Sequence, residues 1–129
     1  MEPDARLFLL KARESLASAE ADLKAGRFNS AANRAYYAAF QAAVAMLVEH
    51  GIRPRADAWD HRFVISQFSG KLVKGRKVVT AQFAGTLDRL LKTRLVADYR
   101  LASVSRSDAK ESVGETKRLI EEIIRQLEG

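Results

Sequence analysis

Residues 28–47, FNSAANRAYYAAFQAAVAML, carry eight alanines in twenty positions. Side chains that small let a helix backbone approach its neighbours closely, and alanine is the strongest helix former. Phe28, Tyr36, Tyr37, Phe40 and Met46 supply the bulk that fixes the packing. Phe28, Ala32, Ala35, Ala39, Ala42 and Met46 recur at steps of three and four, and Tyr36, Phe40, Ala43 and Leu47 form a second stripe beside them. The pattern predicts a central helix buried on most sides. Asn33 and Arg34 interrupt it just before the tyrosine pair, and polar groups inside a bundle must find partners or reach the surface.

The rest of the chain reads as helices laid against that one. Asp4 is a candidate cap for a first helix running to about Ala25, with Leu9, Ala12, Leu16, Ala19 and Leu23 in one stripe. Gly26 stops it and the short connection returns the chain antiparallel; Gly51 ends the second helix in the same way, and Pro54 keeps the next residues extended. A short helix is predicted from about Asp57 to Phe68 on Trp59, Phe63, Val64 and Phe68. The following GKLVKGRK reads as an exposed, mobile connection, and without a preceding strand or Walker spacing it is no phosphate loop. A fourth helix should run from about Thr80 past Tyr99, with Phe83, Leu87, Leu90, Leu91 and Val96 inward. The last should start between Ser105 and Asp108, which have capping-box spacing, and carry Val113, Thr116, Ile120, Ile123 and Leu127 on one face. No strand pattern or internal repeat occurs, so the prediction is all-α: one domain over residues 1–129, an up-and-down bundle of four to five helices.

Composition narrows the chemistry. The chain has no cysteine, and only His50 and His61 could offer imidazole to a metal; no metal site and no cofactor are expected. No apolar run reaches the ~20 residues of a membrane span, and the N-terminus has acidic residues where a secretory signal has basic ones, so a cytoplasmic location without membrane association is expected. The formal charge of +6 is unevenly spread: residues 71–106 hold nine Lys or Arg against two Asp or Glu. That segment suggests a footprint for a polyanion such as RNA or a nucleotide; a solvated basic face is the alternative.

Within the fourth helix, Arg94 and Asp98 stand four apart and can pair on one face. Tyr99 lies about 140° further round an ideal helix from Arg94, so those two converge only through a bend or a bridging ligand. Arg89, Lys92 and Arg100 read as solvated face or phosphate contacts.

Taken together, SAANRAYYAAFQAAVAML, then His61 with Val64 and Phe68, then LDRLLKTRLVADY, resemble the HEPN family, in particular its small single-domain prokaryotic members. The resemblance covers nearly the whole chain. It implies an all-α bundle, frequently a homodimer, often the partner of a minimal nucleotidyltransferase in a two-gene toxin–antitoxin arrangement. Active members are metal-independent endoribonucleases with an Arg-x4-6-His motif. Histidine suits removal of the 2′-hydroxyl proton, and arginine suits holding charge that develops on phosphate.

Against that motif, Arg94 is present, but Tyr99 stands where the histidine would be, and a tyrosine of ordinary pKa near 10 is a poor base. A second match, Arg55 and His61 with five residues between, falls in the loop and short helix rather than on the fourth. The candidate catalytic pairs are therefore Arg94 with Tyr99, and Arg55 with His61. His61 also reads as a helix-start residue packing near Trp59, and His50 as a helix C-terminal residue. Trp59, Tyr36 and Tyr37 invite base stacking, although the tyrosines sit where core packing is tightest. If they are core, their hydroxyls need polar partners, for which Asn33, Arg34, Arg94 and Asp98 are candidates. A polar cluster of Asn33, Arg34, Tyr36, Tyr37 and Asp98 with Arg94, between the second and fourth helices, is the expected ligand site. The resulting expectation is an RNA- or nucleotide-associated module, with an endoribonuclease toxin and a structural interaction bundle as rival readings.

Overall fold

In the computed structural model, which describes residues 1–129 apart from the side chain of Asp57, helix α1 spans Pro3–Lys24 and α2 spans Phe28–Glu49. Both end on a glycine in the left-handed region, Gly26 at φ 80° and Gly51 at φ 74°. At each, the next amide reaches back five residues, Arg27 N to the Asp22 carbonyl at 2.8 Å and Ile52 N to that of Leu47 at 2.9 Å. These bonds close the last turn, and glycine adopts the required φ without the penalty a side chain would meet. The first helix is capped by Glu2, whose carboxylate accepts from Ala5 N, while Asp4 instead pairs with Arg53 at 3.0 Å.

Helix α2 is central, as its composition predicts. Ala31, Ala32, Ala35, Tyr36, Ala38, Ala39 and every residue from Ala42 to Val48 are buried. α1 lies along it as the second arm of a hairpin, with Ala5, Leu9, Ala12 and Ala19 turned inward. The final helix, α5 (Arg106–Glu128), closes the other side with Val113, Thr116, Leu119, Ile120 and Ile123. Each of its large aliphatic residues contributes about 2 kcal/mol by leaving water. Thr116 satisfies its buried hydroxyl by donating to the Ala35 carbonyl at 2.9 Å. Ser105 caps α5, accepting from Asp108 N at 3.0 Å.

Between these lie α3 (His61–Gln67) and α4 (Thr86–Tyr99). α3 starts later than the sequence suggests, because Ala56 takes a left-handed φ of 57° and Asp60 provides the cap, accepting from Phe63 N at 2.8 Å. Nor is the glycine-flanked basic stretch a loose connection. It continues α3 as a π-helix, Phe68–Gly75, with Phe68, Leu72 and Val73 buried. Three apolar side chains in this spacing share a face on a widened turn, and burying them holds a segment whose charges mask its hydrophobicity. α4 begins at Thr86 rather than Thr80; the Thr80 hydroxyl donates instead to buried Glu122 of α5, and a 3-10 turn over Ala81–Phe83 seats Phe83.

The result is a bundle of five α-helices, with no strand among the described residues. None of its helices is long and apolar enough to cross a membrane.

Candidate functional site

Three elements bring polar and aromatic groups together on one flank of α2. From α2 come Asn33, Tyr36, Tyr37 and Phe40, one to two turns apart on the face that meets α3 and α4. α4 contributes Arg94 and Asp98, and α3 contributes its first residue, His61.

Asp98 anchors the α2–α4 contact. Asn33 Nδ2 donates to both of its carboxylate oxygens, at 2.9 and 3.2 Å. Arg94 Nε lies 3.0 Å from Asp98 Oδ2, an ion pair of two largely covered side chains, 12% and 23% exposed. The guanidinium carbon sits 4.9 Å from the centre of the Tyr37 ring and 5.7 Å from that of Tyr36, so the cation rests on two π-faces. The Nε–H nonetheless misses the carboxylate and is a buried donor with no hydrogen-bond partner. No side-chain hydrogen bond from Arg94 occurs among the described residues. The group is held in place by the Asp98 charge and by flat ring surfaces, and its terminal N–H groups make no side-chain hydrogen bond among the described residues.

Tyr36 is fully buried, and its hydroxyl lies 2.5 Å from His61 Nδ1. Burial pushes the Tyr36 pKa well above its ordinary value, against the opposing charge of Arg94, so the phenol keeps its proton. Among the described residues that proton has one acceptor, His61 Nδ1. The neutral imidazole therefore carries its own hydrogen on Nε2 and presents a donor, not a lone pair, beyond the tyrosine. Rings of Tyr36, Tyr37 and Phe40 surround it at 5.3 to 6.5 Å between centroids.

The His61 pKa is lowered, by burial first and then by the charge of Arg94, with Asp60 opposing. Both the imidazole and the guanidinium lie against the Tyr36 and Tyr37 rings, which puts them in one site. The linkage has a measurable sign. A histidine whose folded pKa is depressed binds fewer protons folded than unfolded, so its contribution is fully present above about pH 6.5 and declines as pH falls toward the folded value. Urea midpoints should drop between pH 7.5 and pH 5, and the drop should be smaller in His61→Gln. An equal drop in both proteins would show that His61 is not the responsible group.

The other sequence candidates lie outside this cluster. Tyr99, at the end of α4, is 71% exposed. Arg55 is exposed in the turn before α3, while His61 faces Tyr36, Tyr37 and Phe40. Arg34 is exposed and its charge is felt at Asp22 of α1. Trp59 packs edge-on against Phe8 and Phe63, joining α3 to α1. The pairing of Tyr36 with His61, and the part played by Phe40, had no local signal beyond the one-turn spacing of Tyr36 and Phe40. A surface groove of about 410 Å³, lined by Met1, Arg6, Leu9, Leu10, Arg13, Leu127 and Glu128, shares no residue with this cluster.

The second, third and fourth helices of this all-α domain set an arginine, a histidine and aromatic faces side by side. The HEPN domain family model matches residues 5–127, and the chain belongs to that family. HEPN domains are generally associated with nucleotidyltransferase partners and with RNase activity. No curated protein matches the chain.

Proposed function

We propose that this chain is an RNA- or nucleotide-associated HEPN module that receives a phosphate group between Arg94 and His61. The observation that carries this reading is the guanidinium fixed over Tyr36 and Tyr37, with Nε turned to Asp98 and no hydrogen bond at its two terminal nitrogens among the described residues. A planar fork of that kind matches two phosphate oxygens, and a charge-assisted pair is about twice as strong as a neutral one. His61 Nε2–H supplies a third donor, Tyr37 a ring face for a base, and Asn33 with Asp98 holds the fork in register. Family membership supports the further proposal that the module works as a homodimer beside a minimal nucleotidyltransferase in a toxin–antitoxin pair. Co-purification with a nucleotidyltransferase encoded next to it is the direct test of that pairing.

Calorimetric titration with 5′-AMP and with a short unstructured RNA tests the site. His61→Gln should bind both about tenfold more weakly, the worth of one hydrogen bond to a charged group. If wild-type protein binds neither ligand, or His61→Gln binds both unchanged, the reading is wrong.

One observation favours a second reading. A neutral imidazole and a guanidinium in one site are the two groups that metal-independent RNA cleavage requires. For that reaction His61 would present Nε2 as a lone pair, with its hydrogen on Nδ1 donated to the Tyr36 oxygen; it would take the 2′-hydroxyl proton as the oxygen attacks phosphorus, and the imidazolium would return a proton to the departing 5′-oxygen. Cleavage of labelled RNA that survives chelator and is lost in both Arg94→Ala and His61→Gln would establish an endoribonuclease. Loss in Tyr99→Phe as well would bring the exposed end of α4 into the reaction, and dependence on Arg55 would move it to the preceding turn.

A further inference from the structure

From His61 to Leu87 the chain has five Lys or Arg and no Asp or Glu. α3 and the π-helix after it form one continuous rod, with His61 at its start and Gly75 at its end. Arg62, Ser66, Gly70 and Lys74 follow one another at every fourth position, and all four are exposed. Residues so spaced share a face on a helical rod. The far end carries Lys71, Lys74, Arg76 and Lys77, all exposed. Arg76 also donates to the His50 carbonyl at 2.9 Å, which ties this end to the C-terminus of α2. No ion pair joins any of the four to a carboxylate among the described residues.

The support beneath these charges is rigid. Leu72 and Val73 are buried between Lys71 and Lys74, and the Leu72 carbonyl accepts from both Val78 N at 2.9 Å and Val79 N at 3.2 Å. Those bonds hold Lys77 at a left-handed φ of 55°, a conformation unusual for a side chain. Because Arg76 reaches His50 and His61 reaches Tyr36, the two ends of the rod stand about 21 Å apart along α2, at 1.5 Å per residue. One nucleotide cannot span that distance; a strand of several nucleotides can.

We infer that the outer face of the α3–π rod is a track for single-stranded RNA, leading from the Arg94–His61 site to a terminal clamp of Lys71, Lys74 and Lys77. The inference rests on the phosphate-site reading above and extends it from a phosphate group to a polymer. Lysine at the far end suits backbone phosphates of any sequence, because a flexible point charge makes no demand on base identity.

The test is a length series of unstructured RNA, from mononucleotide to dodecamer, measured by fluorescence anisotropy over a range of salt. Wild-type affinity should rise with length until the strand covers the rod and then level off. Joint replacement Lys71→Gln, Lys74→Gln and Lys77→Gln should abolish that rise. It should lower the slope of log affinity against log salt by about 2, and weaken dodecamer binding on the order of a hundredfold at 0.1 M salt, while leaving 5′-AMP affinity unchanged. Arg62→Gln with Lys74→Gln provides a second variant with fewer changes and should give part of the loss. Unchanged dodecamer affinity and salt slope in both variants would overturn the track. So would dodecamer binding that persists while binding to phosphatidylserine vesicles is lost, since the lysines would then belong to a lipid surface. The phosphate site fails separately, if Arg94→Ala leaves 5′-AMP affinity unaltered; the length series still judges the lysines in that case.

Discussion

Arg94→Ala is expected to weaken binding of 5′-AMP by roughly a hundredfold or more, the largest functional effect of any single change in this protein. The estimate follows from two charge-assisted hydrogen bonds at about 1.5 to 3 kcal/mol each, made by a group that is already positioned and so loses little freedom on binding. Arg94→Lys should recover only a small part. A lysine restores the charge but offers neither the fork nor a flat surface to rest on Tyr37, whose ring lies 4.9 Å from the guanidinium carbon. Calorimetry measures the affinities, and far-ultraviolet circular dichroism checks that both variants stay folded. An Arg94→Ala protein that binds like wild type would remove the main support for a phosphate site.

The second large effect concerns stability. Phe68 is fully buried at the junction of α3 and the π-helix, inside the main core with Val64, Leu72 and Leu87. Phe68→Ala should cost about 3 to 5 kcal/mol, the usual range for deleting a buried ring. For a domain whose whole stability is on the order of 5 to 15 kcal/mol, that is a large share, equivalent to a melting temperature lower by about 11 to 18 °C. Urea unfolding followed by the fluorescence of Trp59, the one tryptophan in the chain, would report it, because that ring packs on Phe63 of α3. A loss below about 1 kcal/mol would mean that the rod is not seated through Phe68. The change should also loosen His61, seven residues earlier on the same rod, and so weaken ligand binding beyond its effect on stability.

Much of this architecture was legible because its signals are local. Gly26 and Gly51 each follow a periodic apolar stripe and require a conformation that favours glycine, so both helix ends could be placed closely. The alanine content of α2 announced a helix with neighbours on most sides, and the burial of Ala31, Ala32, Val44 and Val48, which point in different directions round its axis, agrees. Arg94 and Asp98 meet as their four-residue spacing suggests. The contact of Asn33 with Asp98 also follows from one expectation, that α2 and α4 lie side by side.

What could not be read depends on how separate segments dock. Tyr36 and His61 are 25 residues apart, in helices of different length joined by an irregular turn, and no spacing rule links them. Their meeting is decided by where α3 settles on α2, which Trp59, Phe63, Val64 and Phe68 control together. The basic stretch after α3 was misleading for another reason. Four cations and two glycines within eight residues outweigh Leu72 and Val73 in any hydropathy pattern, and a π-helical turn obeys neither the 3.6-residue period nor the alternation of a strand. Thr80 was read as a helix start, but its hydroxyl is spent on Glu122, a partner 42 positions away.

The widened turn at Phe68–Gly75 has one more implication. Its bonds reach back five residues instead of four, which is what a helix does to accommodate one residue more than its regular frame allows. A homologue that kept every residue here but ran on as ordinary α-helix would turn each later side chain by about 100° relative to the bundle. Its lysines could be identical in number and yet point elsewhere. In this protein the count of residues in that turn, as much as their identity, sets the direction in which the charge is displayed.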